Sequence, residues 1–240
     1  MTPEEQLQKP IKLPTHVAII PDGNRRWATQ HGLPTLEGHR QGALNFEKLL
    51  DAAKDIGIKA VSGWFFSTEN WRRTEDENKY LFDLARQLTK QYKQKVLKEN
   101  IRFIHLGRKD RIPEDIVKEL VDLEEKTKHI NDFIVGVAMD YGGHDELIRT
   151  MEKLKAGNLL PTVENIEKNL DTQNMPMPDL IIRTGGELRL SGFMSWQAEY
   201  AELYFSKLYF PDFGPEQLKE AVADFSNRDR RFGGNSKGKN

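Results

Sequence analysis

Short apolar runs alternate with longer stretches in which apolar residues recur every three to four positions, and the alternation continues along nearly the whole chain. The runs at 16–20, 60–66, 102–106, 133–139, 180–182 and 203–205 read as strands, being short, compact and bounded by turn residues. The helical spacing predicts helices over 38–56, 75–99, 113–128, 144–155, 162–170 and 215–225. Pro113 and Pro215 open two of them, where a missing N–H costs nothing. Repeated strand–helix alternation predicts an α/β fold: a single domain with a central, mostly parallel six-stranded sheet flanked by helices. We place an N-terminal extension at 1–15, the domain at 16–226 and a C-terminal tail at 227–240. There is no internal repeat, and low complexity is confined to 233–240. In the helix over 75–99, the stripe Tyr80, Leu81, Leu84, Leu88, Tyr92 and Val96 fits a core face or a tunnel wall equally well.

In open α/β sheets ligands bind beyond the carboxyl ends of the strands, so the residues that follow each apolar run carry the chemistry. The first run ends in Asp22, Gly23, Asn24, Arg25, Arg26 and Trp27. An acid beside adjacent guanidinium groups suits an anion and its metal, and the combination points to a diphosphate. The second run ends in Ser67, Thr68, Glu69, Asn70, Trp71, Arg72 and Arg73. A hydroxyl, a carboxylate and an amide this close can hold substrate or water and relay a proton, and paired arginines can grip phosphate. The same residues also read as a helix cap with Trp71 as core. The third run opens into Arg183, a Gly185-Gly186 turn, Arg189 and Ser191. Glycines let backbone N–H groups approach an anion, although Gly-Gly after a strand is also an ordinary turn. Three strand ends bearing the same kind of groups favour the site reading.

The basic run at 227–234 reads by itself as a solvated tail. Residues 233–239 imitate phosphate-loop spacing, but Asn240 stands where a hydroxyl belongs, and no strand precedes or helix follows. His39 sits at a predicted helix N-terminus, where an anion can dock. His144 reads as a capping or surface group, and no pair of histidines has zinc-ligand spacing. Oxygen ligands and hence Mg²⁺ are the expected metal chemistry.

Composition removes several alternatives. The 36 basic and 37 acidic residues nearly cancel, which leaves no electrostatic footprint for nucleic acid. The absence of cysteine excludes disulfides and thiolate chemistry and is compatible with a reducing cytosol. No stretch approaches the roughly 20 apolar residues of a membrane span, and residues 1–10 lack the apolar centre of a signal peptide. These features predict a soluble, cytoplasmic protein with no transmembrane segment. They do not exclude an apolar tunnel, which leaves no trace in mean hydropathy.

The segments PDGNRRWA, Gly38-His39, FSTENW, DYGGHDE, IIRTGGELRLS, WQAEYAELYF, YFPDF and RRFGG, in this order and spacing, resemble the cis-prenyltransferases of undecaprenyl diphosphate synthase type from His16 to Gly234. The resemblance implies a homodimer with a hydrophobic product tunnel. It also implies a Mg²⁺-dependent condensation of isopentenyl diphosphate onto an allylic diphosphate such as farnesyl diphosphate. The product would be a cis polyprenyl diphosphate such as undecaprenyl diphosphate, the carrier lipid of cell-wall synthesis.

By the same resemblance Asp22 is the Mg²⁺-linked acid at the allylic diphosphate, with Gly23, Asn24, Arg25, Arg26, Trp27 and His39 around it. Ser67, Glu69 and Asn70 lie at the isopentenyl C2 proton, with Asn70 the usual acceptor, although an amide is a poor base and the diphosphate or a water stays open as the acceptor. Thr68, Trp71 and Arg73 complete that pocket. Arg183, Arg189 and Ser191 grip the isopentenyl diphosphate, and Glu202 is the second metal ligand. Arg231 and Gly233 form an R-x-G motif that reaches across the dimer. A lipid product implies transient contact with the inner membrane face.

Pro21, Arg25, Phe65, Thr35, Thr74 and His144 stand where relatives commonly carry methionine, glycine, alanine, arginine, proline and arginine, respectively. By the resemblance Phe65 falls at the tunnel mouth, which predicts shorter products or another primer. A shorter-chain cis-prenyl diphosphate synthase is therefore an alternative, and a non-catalytic partner subunit is another. Retention of Asp22, Asn70, Glu202 and the R-x-G tail counts against the latter. An RNA- or nucleotide-binding module is disfavoured by the charge balance.

Overall fold

The computed structural model describes residues 12–231. Strands β1 (His16–Ile20), β2 (Ala60–Ser67), β3 (Ile101–Leu106), β4 (Phe133–Tyr141), β5 (Leu180–Arg183) and β6 (Glu202–Phe205) form one sheet in the order β3-β4-β2-β1-β5-β6. Every pairing is parallel, so the expected mostly parallel sheet has no antiparallel member among the described residues. The helices are α1 (Asn24–Gln30), α2 (Thr35–Ile56), α3 (Glu75–Lys98), α4 (Glu114–Thr127), α5 (Gly143–Ala156), α6 (Val163–Glu167) and α7 (Pro215–Asn227).

Side chains alternate along β1, so Val17 and Ile19 enter one core with Leu49, Val61, Leu218 and Phe225. Ala18 and Ile20 enter the opposite core with Leu106, Ala138, Ile181 and Phe193. Burial on both faces is why these strands read as unbroken apolar runs. From β1 the chain crosses to β2 on one side, and from β5 it crosses to β6 on the other. The carboxyl ends of β1 and β5 therefore form the switch point where such sheets bind ligands.

Two elements depart from the sequence pattern. The segment after β1 was expected as a charged turn, but it forms the helix α1. Gly23 holds φ +100°, a left-handed conformation open to glycine, and so turns the chain directly into that helix. Helix α2 then lies close beneath: a Cβ at position 38 would stand 2.0 Å from the Asn24 carbonyl oxygen. Seven residues with two arginines carry too little apolar periodicity to announce such a helix. Helix α6 is also shorter than expected, Val163–Glu167 in place of 162–170.

Candidate active site

At the switch point Ile20 and Arg183 are paired, and two residues further on Asp22 projects its carboxylate between guanidinium groups. Its Oδ2 accepts from Arg183 Nη2 at 2.9 Å, and its Oδ1 accepts from Arg26 Nη2 at 3.2 Å and from the Gly23 N–H at 2.6 Å. Burial alone would raise this carboxyl, but the hydrogen bond and charge of Arg183, helped by Arg26 and Gly23, hold it below the usual carboxylate range. Arg183 is 6% exposed, and its Nη1 donates to Ser191 Oγ at 2.8 Å and to the Arg189 carbonyl. Its Nε is buried with no partner among the described residues.

The first and third predicted segments thus meet at one carboxylate. Arg189 joins through its backbone, while its side chain turns to Glu187 and lies exposed. Arg26 lies over the Tyr209 ring, 5.3 Å from its centroid, and Trp27 Nε1 donates to Asp212 Oδ1 at 2.8 Å, so the loop carrying YFPDF braces α1.

The second segment forms the other lip. Residues Thr68–Arg72 make a 3₁₀ turn in which the Ser67 N–H donates to Asn70 Oδ1 at 3.0 Å. The cap reading and the site reading therefore describe the same residues. That N–H takes one of the two lone pairs of Asn70 Oδ1. Thr68 hydroxyl donates to Glu69 Oε1 at 3.0 Å. Trp71 packs against Phe66 and Phe82, and its Nε1 donates to Asp140 Oδ1 at 2.8 Å.

Sequence reasoning did not select Asp140 or its partner Arg111. Asp140 is fully buried at φ +52°, accepts from both Arg111 and Trp71, and so fixes the turn from behind. Its place in DYGGHDE was visible, but its role depends on a backbone conformation that no residue pattern announces.

Arg73 donates to Glu77 Oε1 at 2.9 Å, and Arg25 reaches the same oxygen at 3.8 Å. His39 lies beside them. Helix α2 begins at Thr35, so His39 sits a turn inside it and not at its N-terminus, a correction to the expected docking position. Burial and the neighbouring charge of Arg73 push its imidazole down to about 4, so it is neutral at pH 7. Its Nε2 is buried without a partner among the described residues. His144 is exposed on α5, as expected.

Between the lips opens a cavity of about 500 Å³ that runs down between α2, α3 and the sheet. Asp22, His39, Ser67, Asn70, Arg73 and Arg183 line its mouth, and Ala43, Phe46, Leu50, Leu84 and Leu88 line its walls. The α3 stripe divides: Leu81, Leu84, Leu88, Tyr92 and Val96 face the cavity, while Tyr80 hydroxyl donates to the Leu36 carbonyl. Phe65 stands in the wall with its ring edge-to-face on Phe46, centroids 4.9 Å apart.

The chain is similar to known proteins in sequence and in fold. The family model described as "Putative undecaprenyl diphosphate synthase" matches residues 20–233. An isoprenyl transferase of Aquifex pyrophilus is 43% identical over 224 residues, 93% of this chain and 97% of the relative. The chain belongs to the undecaprenyl diphosphate synthase family of cis-prenyltransferases. An isoprenyl transferase of Thermotoga maritima is 40% identical over 93% of this chain and 98% of its own length. Among solved structures, lavandulyl diphosphate synthase from Lavandula x intermedia, in complex with dimethylallyl diphosphate, superposes with a TM-score of 0.87 at 32% identity. It covers 92% of this chain and 98% of that one. A probable undecaprenyl diphosphate synthase from Campylobacter jejuni gives 0.79 at 34% identity, covering 92% and 99%. The protein is thus a prenyltransferase, of cis type by its fold.

In this cis-prenyltransferase two expected site residues lie elsewhere in the chain. Glu202 opens β6, level with Leu180 and Val17, which is three residue steps or roughly 10 Å below the level of Arg183. Its carboxylate accepts from Arg228 Nη1 at 2.9 Å. Arg230 Nη1 donates to Asp179 Oδ1 at the same lower edge, and Arg231 is exposed and paired with Asp229. One chain therefore does not bring Glu202 or Arg231 to Asp22. Gly233 lies outside the described residues.

The described residues contain no group of three or more His, Cys, Asp or Glu arranged to hold a metal, and no helix among them is long and apolar enough to cross a membrane. Asp22 itself suits a hard cation shared with a ligand: its carboxylate is ionised, partly open, and surrounded by donors for phosphate oxygens. Mg²⁺ is commonly held in this way, by one or two carboxylates plus substrate phosphates.

Proposed function

We propose that this prenyltransferase condenses isopentenyl diphosphate with an allylic diphosphate, farnesyl diphosphate being the expected primer, to form a cis polyprenyl diphosphate such as undecaprenyl diphosphate. The observation that carries the reading is the Asp22 carboxylate held between Arg26 and Arg183 at the entrance to a deep apolar cavity. The charged mouth suits two diphosphates and the shaft suits a hydrocarbon, which together describe substrates and product.

In each cycle the allylic C1–O bond breaks and diphosphate leaves, C4 of isopentenyl diphosphate bonds to that C1, and the C2 proton is lost. Charge gathers on the leaving oxygens, where Arg25 and Arg26 would receive it, while Asn24 donates to the Pro21 carbonyl and shapes the loop beneath. Asp22 with substrate oxygens would hold Mg²⁺, which when bound neutralises the leaving charge. Gly23 lets the backbone turn under that diphosphate, with Trp27 holding α1 in place.

Arg183, Ser191 and Arg189 grip the isopentenyl diphosphate. As that anion arrives, it supplies Arg183 with a stronger partner than Asp22 and releases the carboxylate. Arg73, Ser67, Thr68 and Glu69 complete the pocket and Trp71 anchors it. Asn70, its side chain fixed by the Ser67 N–H, orients the substrate. The C2 proton needs a stronger base than an amide, and a diphosphate oxygen is one. Neutral His39 donates or accepts one hydrogen bond at the allylic site without adding charge.

The positions of Glu202 and Arg231 support a homodimer in which a second copy supplies the lower edge of its sheet to this mouth. The membrane contact implied by a lipid product would then be transient. A shorter-chain synthase is the second reading, favoured by the Phe65 ring in the cavity wall. Incubation with labelled isopentenyl diphosphate, farnesyl diphosphate and Mg²⁺ should yield a butanol-extractable lipid whose formation stops with a chelator. Failure to incorporate label with any allylic primer would overturn the reading.

A further inference from the structure

The cavity is apolar along its shaft, and at its far end one side turns charged while Ile101 and Phe133 line the other. Glu47, Asp51 and Lys54 on α2 face Lys95 on α3 and Glu99 just past its end, and all five line the cavity. Lys95 Nζ donates to Glu47 Oε1 at 3.0 Å and to both Asp51 oxygens at 2.8 and 3.0 Å. Lys54 Nζ donates to the Glu99 carbonyl at 3.2 Å and lies 3.6 Å from its carboxylate. Helices α2 and α3 are thus laced together at this end of the cavity. From His39 at the mouth to Asp51 the α2 axis advances roughly 18 Å, at 1.5 Å per residue.

A hydrocarbon growing down this shaft gains stabilisation with every apolar surface it covers. At the laced end the gain stops. Lys95 is 24% exposed and Glu47 29%, so both keep part of their hydration. An arriving methyl group must either strip that water or part the ions, and desolvating paired charges costs more than a few methylene contacts return. Tyr92 lines the cavity beside them, and burial, with Glu47 and Asp51 close by, pushes its hydroxyl pKa up.

We propose that the Lys95 clasp with Glu47 and Asp51 is the floor that sets product length in this chain. Elongation ends when the first-formed end of the product reaches it. The inference rests on the polyprenyl-synthase reading above and names the residues that decide its chain length.

The test is the product distribution, read by mass spectrometry after dephosphorylation, with isopentenyl diphosphate in excess. Lys95→Met and the double variant Glu47→Gln/Lys95→Met should each move the main product longer by at least one five-carbon unit. The exchanged pair Glu47→Lys/Lys95→Glu restores an ionic floor and should return the wild-type length. An unchanged distribution in both Met variants overturns the proposal. So does a lengthened product in the exchanged pair equal to that of the Met variants, since that would make general loosening the cause. Lys95 is part-exposed, so the single variant is expected to fold. Should the double variant fail to fold, the single variant and the exchanged pair decide the matter. Absence of any labelled product from the wild type would instead overturn the underlying function and not the floor.

Discussion

The two ends of the sheet are charged in different ways. At the carboxyl ends of β1 and β5, one carboxylate faces Arg26 and Arg183, with Arg25 and Arg73 nearby, so basic groups outnumber the acids that hold them. At the amino ends, Glu202 and Asp179 are matched by Arg228 and Arg230. A surplus of guanidinium groups waits for an anion, whereas a balanced set holds a chain end in place. In the proposed function the upper end would bind the diphosphates and the lower end would be presented to a partner copy. Residues assigned by resemblance to one diphosphate site thus stand at opposite ends of a single chain, and pairing two copies is what would bring them together.

The sharpest way to break this contrast is to remove the carboxylate that Arg26 and Arg183 share at the upper end. Asp22→Ala should fold and lose at least about 10²-fold in turnover, the scale of deleting one group that stabilises developing charge. Circular dichroism and turnover together check it, and a loss of folding with the activity would make Asp22 structural.

Acid should next distinguish the ends. His16, at the lower end of β1, is fully buried between the Pro176 carbonyl and Ser62 hydroxyl, and burial pushes it down to about 4. His105 is buried and pushed to about 4 as well, by burial and then by Lys109. Both titrate near 6.5 in the unfolded chain, so the unfolded state takes up protons first. Stability is fully present above pH 6.5 and is lost as pH falls toward 4, by several kcal/mol for the two at about 1.4 kcal/mol per unit each. Melting temperature against pH reads this directly, and a flat profile from 6.5 to 4.5 would contradict it. Adding inorganic diphosphate should raise the pKa of His39, at the mouth, and leave that of His16 in place, as imidazole resonances in an NMR titration would show.

The smallest expected effect is at Phe65. Its ring packs over Gly63, where a Cβ would stand 2.7 Å from it, and against Phe46, so glycine makes the room that the phenyl group fills. The bulk is therefore offset in part. Phe65→Ala should widen the shaft and lengthen products by no more than a few five-carbon units, and an unchanged mass distribution would leave Phe65 as packing.

The strands were legible because burial on both faces writes them as unbroken apolar runs, and the three charged strand ends were legible because they interrupt those runs abruptly. Helix α1 was not, since its stability comes from Gly38 and Gly42 beneath it and not from its own pattern. Asp140 and Arg111 were missed because they act from behind Trp71. The position of Glu202 was half visible: a residue that opens a strand belongs at the amino end of the sheet, opposite to Asp22. Resemblance assigned its role without reporting that separation. The charged cavity floor was hidden because Glu47, Asp51 and Lys95 read in sequence as the solvated faces of two amphipathic helices.

Complementation between inactive chains tests the pairing of opposite ends most directly. Arg231 is exposed and bridged to Asp229, so Arg231→Ala removes the tail's guanidinium group while Arg228 and Arg230 keep their anchors. Asp22→Ala and Arg231→Ala, each nearly inactive alone, should regain about one quarter of wild-type turnover after mixing and subunit exchange, because half the dimers carry one intact site of two. No recovery, with exchange demonstrated by a mass-tagged subunit, would contradict the account and confine each site to its own chain.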